Sequence, residues 1–436
     1  MKNRKLSIII LVFFILMGCS SESNNSYRLK YNNDKLSFGI NESLAEYLYD
    51  KPIVEHKINT VTLTAVGDMM FHKWQLYRGY DATADSFDFT NSFKYVKKYL
   101  ENSDCVIGNL ETTLAGRDKG RCLRPENEYK GYLGFPCFNT PEILAYNLKE
   151  AGFDLISTVN NHSLDSRAEG VISTINYLEE QGLYHVGTYR NSDEAKEIFT
   201  IDINNIEFAF LAYTYGTNGL TAPDSMPYLV NSLDMYDNDE IKKMLLDVEK
   251  ADETGVDFVV AIMHFGEEYF NYPNEIQKDI VNDLFDAGAD IIIGSHPHVL
   301  QPLEIRDILC SDGTTKKGIV IYSLGNFISS QRYTKQYPQQ TDVSAIMNIK
   351  FEKIDNHNPE IKSISFVPTC TYRNSKEISV LPVDEVLENM DHYNLDINEY
   401  GINRLKYTQK NAIKHILAYT HNKYIYNNYE YEISLE

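Results

Sequence analysis

Asp290-Ile291-Ile292-Ile293, running into Gly294-Ser295-His296-Pro297-His298, is the stretch on which the fold turns. A short, unbroken β-branched run is the mark of a strand buried on both faces, and this one stops at chemically capable residues. The same grammar recurs along the chain. Val61 to Val66 runs into Gly67-Asp68, Asp104 to Ile107 into Gly108-Asn109-Leu110-Glu111, and Phe153 to Val159 into Asn160-Asn161-His162. Phe258 to Met263 runs into His264-Phe265-Gly266, and Gly318 to Tyr322 into Ser323-Leu324-Gly325-Asn326-Phe327. Helical patterns lie between several runs, as over Ile143 to Glu150 and Ile276 to Asp286, the first opened by Thr140 as cap and Pro141 in its first turn. Alternation of strand and helix predicts an α/β fold with largely parallel strands under covering helices. The motifs then share one sheet edge, at the carboxyl ends where ligands gather.

Further strands are expected over Ile206 to Tyr213, Ala345 to Phe351 and Ile361 to Val367. From about residue 373 the chain turns Tyr- and Asn-rich, with helical periodicity around Ile402 to Ala418. The chain so divides into a signal peptide (1–19), a tether and preamble (20–58), a principal domain (59–372) and a C-terminal extension (373–436).

The chain has 436 residues, 43% of them hydrophobic and 24% charged, enough for a large core without disulfide or metal staples. Its net charge of -21 speaks against generic nucleic-acid binding, which needs clustered Lys and Arg. An anionic substrate would need local positive charge. Arg117-Asp118-Lys119-Gly120-Arg121-Cys122-Leu123-Arg124 is one such reversal, although a charge run is more often a solvated loop.

At the amino end Lys2, Arg4 and Lys5 precede an apolar run from Leu6 to Met17 that closes in Gly18-Cys19. The run is short for a membrane span and reads as an export signal. Its ending resembles a bacterial lipobox, which implies Cys19 as the lipidation site and Ser20 to Ser26 as a flexible tether holding an extracytoplasmic domain at the membrane; the alternatives are an ordinary secretion signal or a short N-terminal anchor. There is no Cys-x-x-Cys pair, so a thiolate zinc site is disfavoured. Cys122 and Cys137 flank one loop segment; spacing alone leaves open whether they are bonded.

Five of the eleven histidines, His72, His162, His264, His296 and His298, fall in or beside strand-end motifs that also carry Asp68, Asn109, Glu111, Asn160 and Asn161. That is a metal vocabulary: carboxylates neutralise a divalent cation, neutral imidazoles supply directed nitrogen, and one carboxylate can bridge two ions. Neither the His-x-His nor the lone His264 would carry this reading alone. Their order and shared position carry it. There is no Gly-x-Ser-x-Gly elbow and no P-loop lysine, which disfavours a serine hydrolase or an ATP-driven ligase.

The order resembles that of the calcineurin-like metallophosphoesterases. The wording of Gly67-Asp68-Met69-Met70, Gly108-Asn109-Leu110-Glu111, Asn160 to Asp165, His264 to Tyr269, His296 to Pro302 and Tyr322 to Phe327 resembles the CapA family, over roughly residues 61 to 330. The resemblance implies a layered α/β/β/α metallophosphatase-like sandwich with a C-terminal helical extension, and a part in making, moving or anchoring poly-γ-glutamate at the cell envelope. It implies one or two divalent ions (Mn, Zn or Fe), with Asp68 and His298 on one, Asn161, His264 and His296 on the other, and Glu111 bridging. His162 is the implied proton donor and His72 an extra ligand candidate; Asn109, Arg117, Arg121 and Asn326 are the substrate-binding candidates. Plainer roles exist for the same residues: Asp68 as a helix cap, Asn161 in a turn, His162 as an orienting group.

The sequence departs from the phosphatases in lacking Asp-x-His at its first motif and in offering Asn109 and Glu111 where they use Asp. Phosphatase activity therefore does not follow. Three functions fit: a metal-dependent hydrolase acting on an envelope polymer or its precursor, a non-catalytic polymer-binding or scaffold subunit of a membrane synthase, and an extracytoplasmic phosphodiesterase.

Overall fold

A chain with this many continuous apolar strands must cover both faces of whatever sheet they form, and the computed structural model shows how. It describes residues 28–31, 34–37, 56–121, 125–309, 313–332, 340–420 and 423–435. The signal segment, Cys19, most of the tether, Cys122 and Arg124 lie outside those residues. Two units are present, 1–57 and 58–436. In the first, Arg28–Tyr31 and Asp34–Ser37 form an antiparallel hairpin.

The second unit begins with strand β1 (Ile58–Met69) and helix α1 (Lys73–Gly79), then β2 (Cys105–Leu110), α2 (Ile143–Ala151), β3 (Leu155–Ser157), α3 (Arg167–Glu180) and β4 (Tyr184–Val186). β5 (Phe199–Ile203), β6 (Ile206–Thr214), α4 (Asn238–Glu253), β7 (Phe258–His264), α5 (Glu275–Asp286), β8 (Ile291–Ser295), β9 (Leu303–Leu309) and β10 (Thr315–Ile321) follow. The chain ends with β11 (Asn326–Ile328), β12 (Val343–Ile354), β13 (Glu360–Arg373), β14 (Ile378–Pro382), α6 (Val383–Glu388), α7 (Glu399–Ile416), β15 (Tyr424–Asn427) and β16 (Glu430–Ile433).

Two large sheets result. One runs β4-β3-β2-β1-β12-β13-β16-β15, with β11 beside β1 and β14 beside β13; the other runs β5-β6-β7-β8-β10-β9. Strands β1 to β4 are mutually parallel, as are β6, β7, β8 and β10, while β12, β13, β5 and β9 pair antiparallel to their neighbours.

Side-chain alternation shows why the sheets stack. In β7, Phe258, Val260 and Ile262 enter a core shared with Leu63 and Ala65 of β1 and Ile349 and Phe351 of β12, whereas Val259, Ala261 and Met263 pack with Met244 and Val248 of α4 and Ile280 and Leu284 of α5. Phe351 of the first sheet meets Phe208 and Phe258 of the second at ring-centroid distances of 5.1 and 4.5 Å. A third core lines the outer face of the first sheet, joining Val106 and Ile156 to Leu144 and Leu148 of α2. The layering is α/β/β/α. Two covering helices are capped by side chains: Asp237 accepts from two backbone N–H groups of α4, and Asn274 and Gln277 form a capping box on α5. The expected Thr140 cap on α2 is not made, because the helix starts after Glu142 and Thr140 Oγ1 bonds Thr112 Oγ1 at 2.8 Å instead.

The C-terminal residues do more than add a helix. β14 and β16 both pair with β13, and Tyr431 and Ile433 join the inter-sheet core beside Ala412 and Ile416 of α7. Among the described residues no helix is long and apolar enough to cross a membrane.

Candidate metal centre

The strand-end motifs meet, but not along the rim of one sheet as the sequence suggests. Asp68, Glu111 and the Asn160–His162 loop come from the ends of β1, β2 and β3 in the first sheet, while His264, His296 and His298 come from the ends of β7 and β8 in the second. Two glycines make room there for Tyr322 to Gly325, the segment that passes from the second sheet to the first. A Cβ on Gly67 would lie 1.9 Å from the Gly325 carbonyl oxygen, and one on Gly294 would lie 2.0 Å from that of Tyr322. At this point β1 takes β11 as a partner, and the Asp68 N–H donates to Gly325 O at 2.9 Å.

Asp68, Glu111 and His298 each offer a ligand atom, all within 4.8 Å of one another. His298 Nδ1 is 3.2 Å from Asp68 Oδ2 and 3.9 Å from Glu111 Oε2. On the other side of Glu111, His264 Nε2 stands 3.8 Å from Oε1 and His162 Nε2 4.0 Å from it. His264 Nε2 is 3.1 Å from Asn161 Oδ1, and its ring lies 4.9 Å from that of His296. The turn that carries the last two imidazoles is strained, with φ of 97° at His296 and 58° at His298, a conformation that side chains beyond glycine rarely adopt. Such strain persists only where the surroundings enforce it, here by the Tyr269 N–H donating to Pro297 O at 2.8 Å.

The site is buried, and burial sets its charges. Glu111 is held well above the usual carboxylate range, first by desolvation and then by Asp68. Desolvation, with neighbouring imidazoles adding to it, pushes His264 and His296 well below theirs, so both are neutral. Burial also opposes charge on His298, but Glu111 and Asp68 outweigh it and lift this imidazole to about 9.

Neither oxygen of Glu111 has a hydrogen-bond partner, nor does Nδ1 of His296. A buried carboxylate left this way is costly unless a cation satisfies it. The donor set, two carboxylates, one amide oxygen and neutral imidazoles, suits a divalent transition metal. Ligation through His264 Nε2 puts the ring proton on Nδ1, where Ser295 Oγ waits at 2.8 Å to accept it. The residues therefore fit the ion.

Residues 62–331 match the family described as bacterial capsule synthesis protein PGA_cap. The chain belongs to this family. It is 31% identical over 331 residues to the capsule biosynthesis protein CapA of Bacillus anthracis, covering 73% of this chain and 74% of that one. To the PGA biosynthesis protein CapA of Bacillus subtilis (strain 168) it is 30% identical over 279 residues, 64% of this chain and 65% of the relative. Among solved structures, a purple acid phosphatase from yellow lupin seeds matches at a TM-score of 0.28 and 8% identity, over 72% of this chain and 52% of that one. A likeness at that level bears on neither fold nor function.

Within this capsule-synthesis chain the other expected residues are placed as follows. His72 sits at the N-terminus of α1 with Nδ1 accepting the Ser330 N–H at 3.4 Å; burial, then His298, His162 and Arg373, push it down to about 3. Asn109 faces inward, its amide donating to Asp68 Oδ1 at 2.7 Å, so it braces one candidate ligand. Asn326 is buried in register with Asp68, donating to Thr341 O at 3.0 Å while its Oδ1 has no partner. Arg117 and Arg121 are exposed, and Arg117 is engaged by Asp85 at 3.3 Å.

Three contributors escape a reading by residue type. Asp165 takes His162 Nδ1 at 2.8 Å, Ser295 takes His264 Nδ1, and Tyr215 lays its ring 4.4 Å from that of His296. Asp165 stands three residues after His162 inside a quoted motif, and Tyr215 follows directly on β6, so both carried the strand-end signal.

Proposed function

We propose that this capsule-synthesis family member is a metal-dependent, hydrolase-like protein that acts on poly-γ-glutamate or its precursor, held outside the cytoplasm by a lipid on Cys19. The observation that carries the reading is the unpartnered, fully buried carboxylate of Glu111, ringed by His162, His264 and His298. Asp68, Glu111 and His298 would hold one ion; Asn161, His264 and His296 would serve a second, with Glu111 between. A divalent cation here supplies Lewis-acid polarisation and makes water a better nucleophile near neutrality, which removes the need for a Ser or Cys nucleophile. The protein's own part is positioning. Asp165 fixes His162 through Nδ1, leaving Nε2 toward the cluster, where it can deliver a proton to a departing amine or oxygen. Asn109 and Ser295 hold Asp68 and His264 in register.

Metal analysis of the purified chain, paired with turnover of γ-glutamyl amides and chromogenic phosphoesters with added manganese, tests this reading. Turnover of the phosphoesters alone would make the protein a phosphodiesterase. Unchanged capsule production by a His296→Ala, His298→Ala double variant would remove the enzymatic role. A second reading, an accessory that binds polymer beside a membrane synthase, is favoured by the Asn161–His264 contact, which ties up two donors of the second position. The anchor has its own test: a Cys19→Ala variant should leave the membrane fraction.

A further inference from the structure

We propose that Arg78 and Arg373, set about Trp74, form with the neighbouring Arg332 a docking strip for a polycarboxylate chain beside the metal centre. The proposal rests on the functional reading above, since it names how that site's polymer is held. Trp74 projects from α1 and is 52% exposed. Two guanidinium carbons flank its indole, that of Arg78 at 5.5 Å and that of Arg373 at 5.2 Å from the ring centroid. Arg78 Nε also donates to Asn374 O at 3.0 Å, which ties α1 to the end of β13. Arg373 is pushed down to about 10, by burial and then by the nearby Arg332 and Arg78, so the three cations share one neighbourhood.

Their lack of acidic partners is the telling feature. The chain carries 62 acidic side chains against 41 Lys and Arg. Arg117, Arg190, Arg306 and Arg404 each hold a carboxylate. Among the described residues none pairs with Arg78, Arg332 or Arg373. Guanidinium groups packed together without counter-charge are held there at a cost that an external anion relieves. A guanidinium fork matches a carboxylate in both geometry and charge, and stacking on Trp74 orders two forks in advance.

Packed side chains connect the strip to the centre. Arg332 lies two residues beyond Ser330, whose N–H donates to His72 Nδ1. The His72 ring packs 5.1 Å from Phe138, and Phe138 packs 4.7 Å from His162. A chain with a carboxylate on every residue could thus bind along the arginines and present a linkage to His162.

Trp74 is the protein's single tryptophan, so its emission reports on this strip alone. Titrating the full chain in detergent with poly-γ-glutamate should give a saturable change in Trp74 emission that weakens with added salt and survives chelation of metal. R78Q/R373Q should bind about tenfold more weakly or worse, whereas R78K/R373K, keeping the charge, should lose less. Affinity unchanged in R78Q/R373Q, or polyphosphate bound as tightly as the polyglutamate, overturns the assignment. Binding that persists while metal and turnover are absent would instead count against the hydrolase reading and leave the strip standing.

Discussion

His162 Nδ1 lies 2.8 Å from Asp165 Oδ2, and the same oxygen accepts the Phe138 N–H at 2.5 Å. Asp165 is thereby fixed before it fixes His162. Asp165→Asn should lower turnover about 10- to 100-fold by loosening the imidazole while metal content, measured by elemental analysis, stays unchanged. A loss of metal instead would make Asp165 part of the ion's support.

Glu111 makes a sharper test, because its effect should change sign with metal. In metal-free protein Glu111→Gln removes a buried acid that has no hydrogen-bond partner and faces Asp68, so stability should hold or rise by about 1 kcal/mol. In wild type, an ion at a hundredfold excess over its Kd should add about 2.7 kcal/mol, and the variant should lose that gain. Thermal melts with chelator and with manganese read both. A metal-free variant clearly less stable than wild type would mean that Glu111 has a structural partner.

Gly67 is the tightest backbone contact at the centre. Gly67→Ala sets a methyl 1.9 Å from Gly325 O and should destabilise by about 3 kcal/mol or more, through separation of β1 from β11. Denaturant melts would show it. A near-neutral outcome would mean that the two strands are not in contact there.

Arg404 of α7 pairs with Asp342 just before β12, their side chains 12% and 8% exposed, with Nε at 2.8 Å from Oδ2. Arg404→Ala leaves Asp342 buried without its partner and should cost about 3 kcal/mol in the same assay. If the C-terminal helix were a dispensable attachment, the loss would stay below about 1 kcal/mol.

Most of the framework was legible because short β-branched runs such as Ile291 to Ile293, bounded by Gly and Pro, favour strands covered on both sides, and because their endings carried His, Asp and Asn. The partition of those strands into two sheets was not legible in the motifs. A strand's period says which residues face inward but not which neighbour it pairs with, and β1 meets β12 only after a separation of nearly three hundred residues. For the same reason the charge run at Arg117 stands out in the sequence although Arg117 is exposed and paired with Asp85. The arginines that have no acidic partner among the described residues arrive singly from α1, from the stretch after β11 and from β13, and only folding brings them near one another.

The donors of the centre hang from two different layers: carboxylates and amide from one, imidazoles from the other. Neither layer alone offers more than half a coordination shell, so an ion held between them acts as a rivet. Its dissociation constant becomes a strain gauge for the seam. Trimming Phe351 or Phe208, which meet across that seam remote in sequence from any ligand, would register as altered metal affinity even where enzymology saw no altered residue.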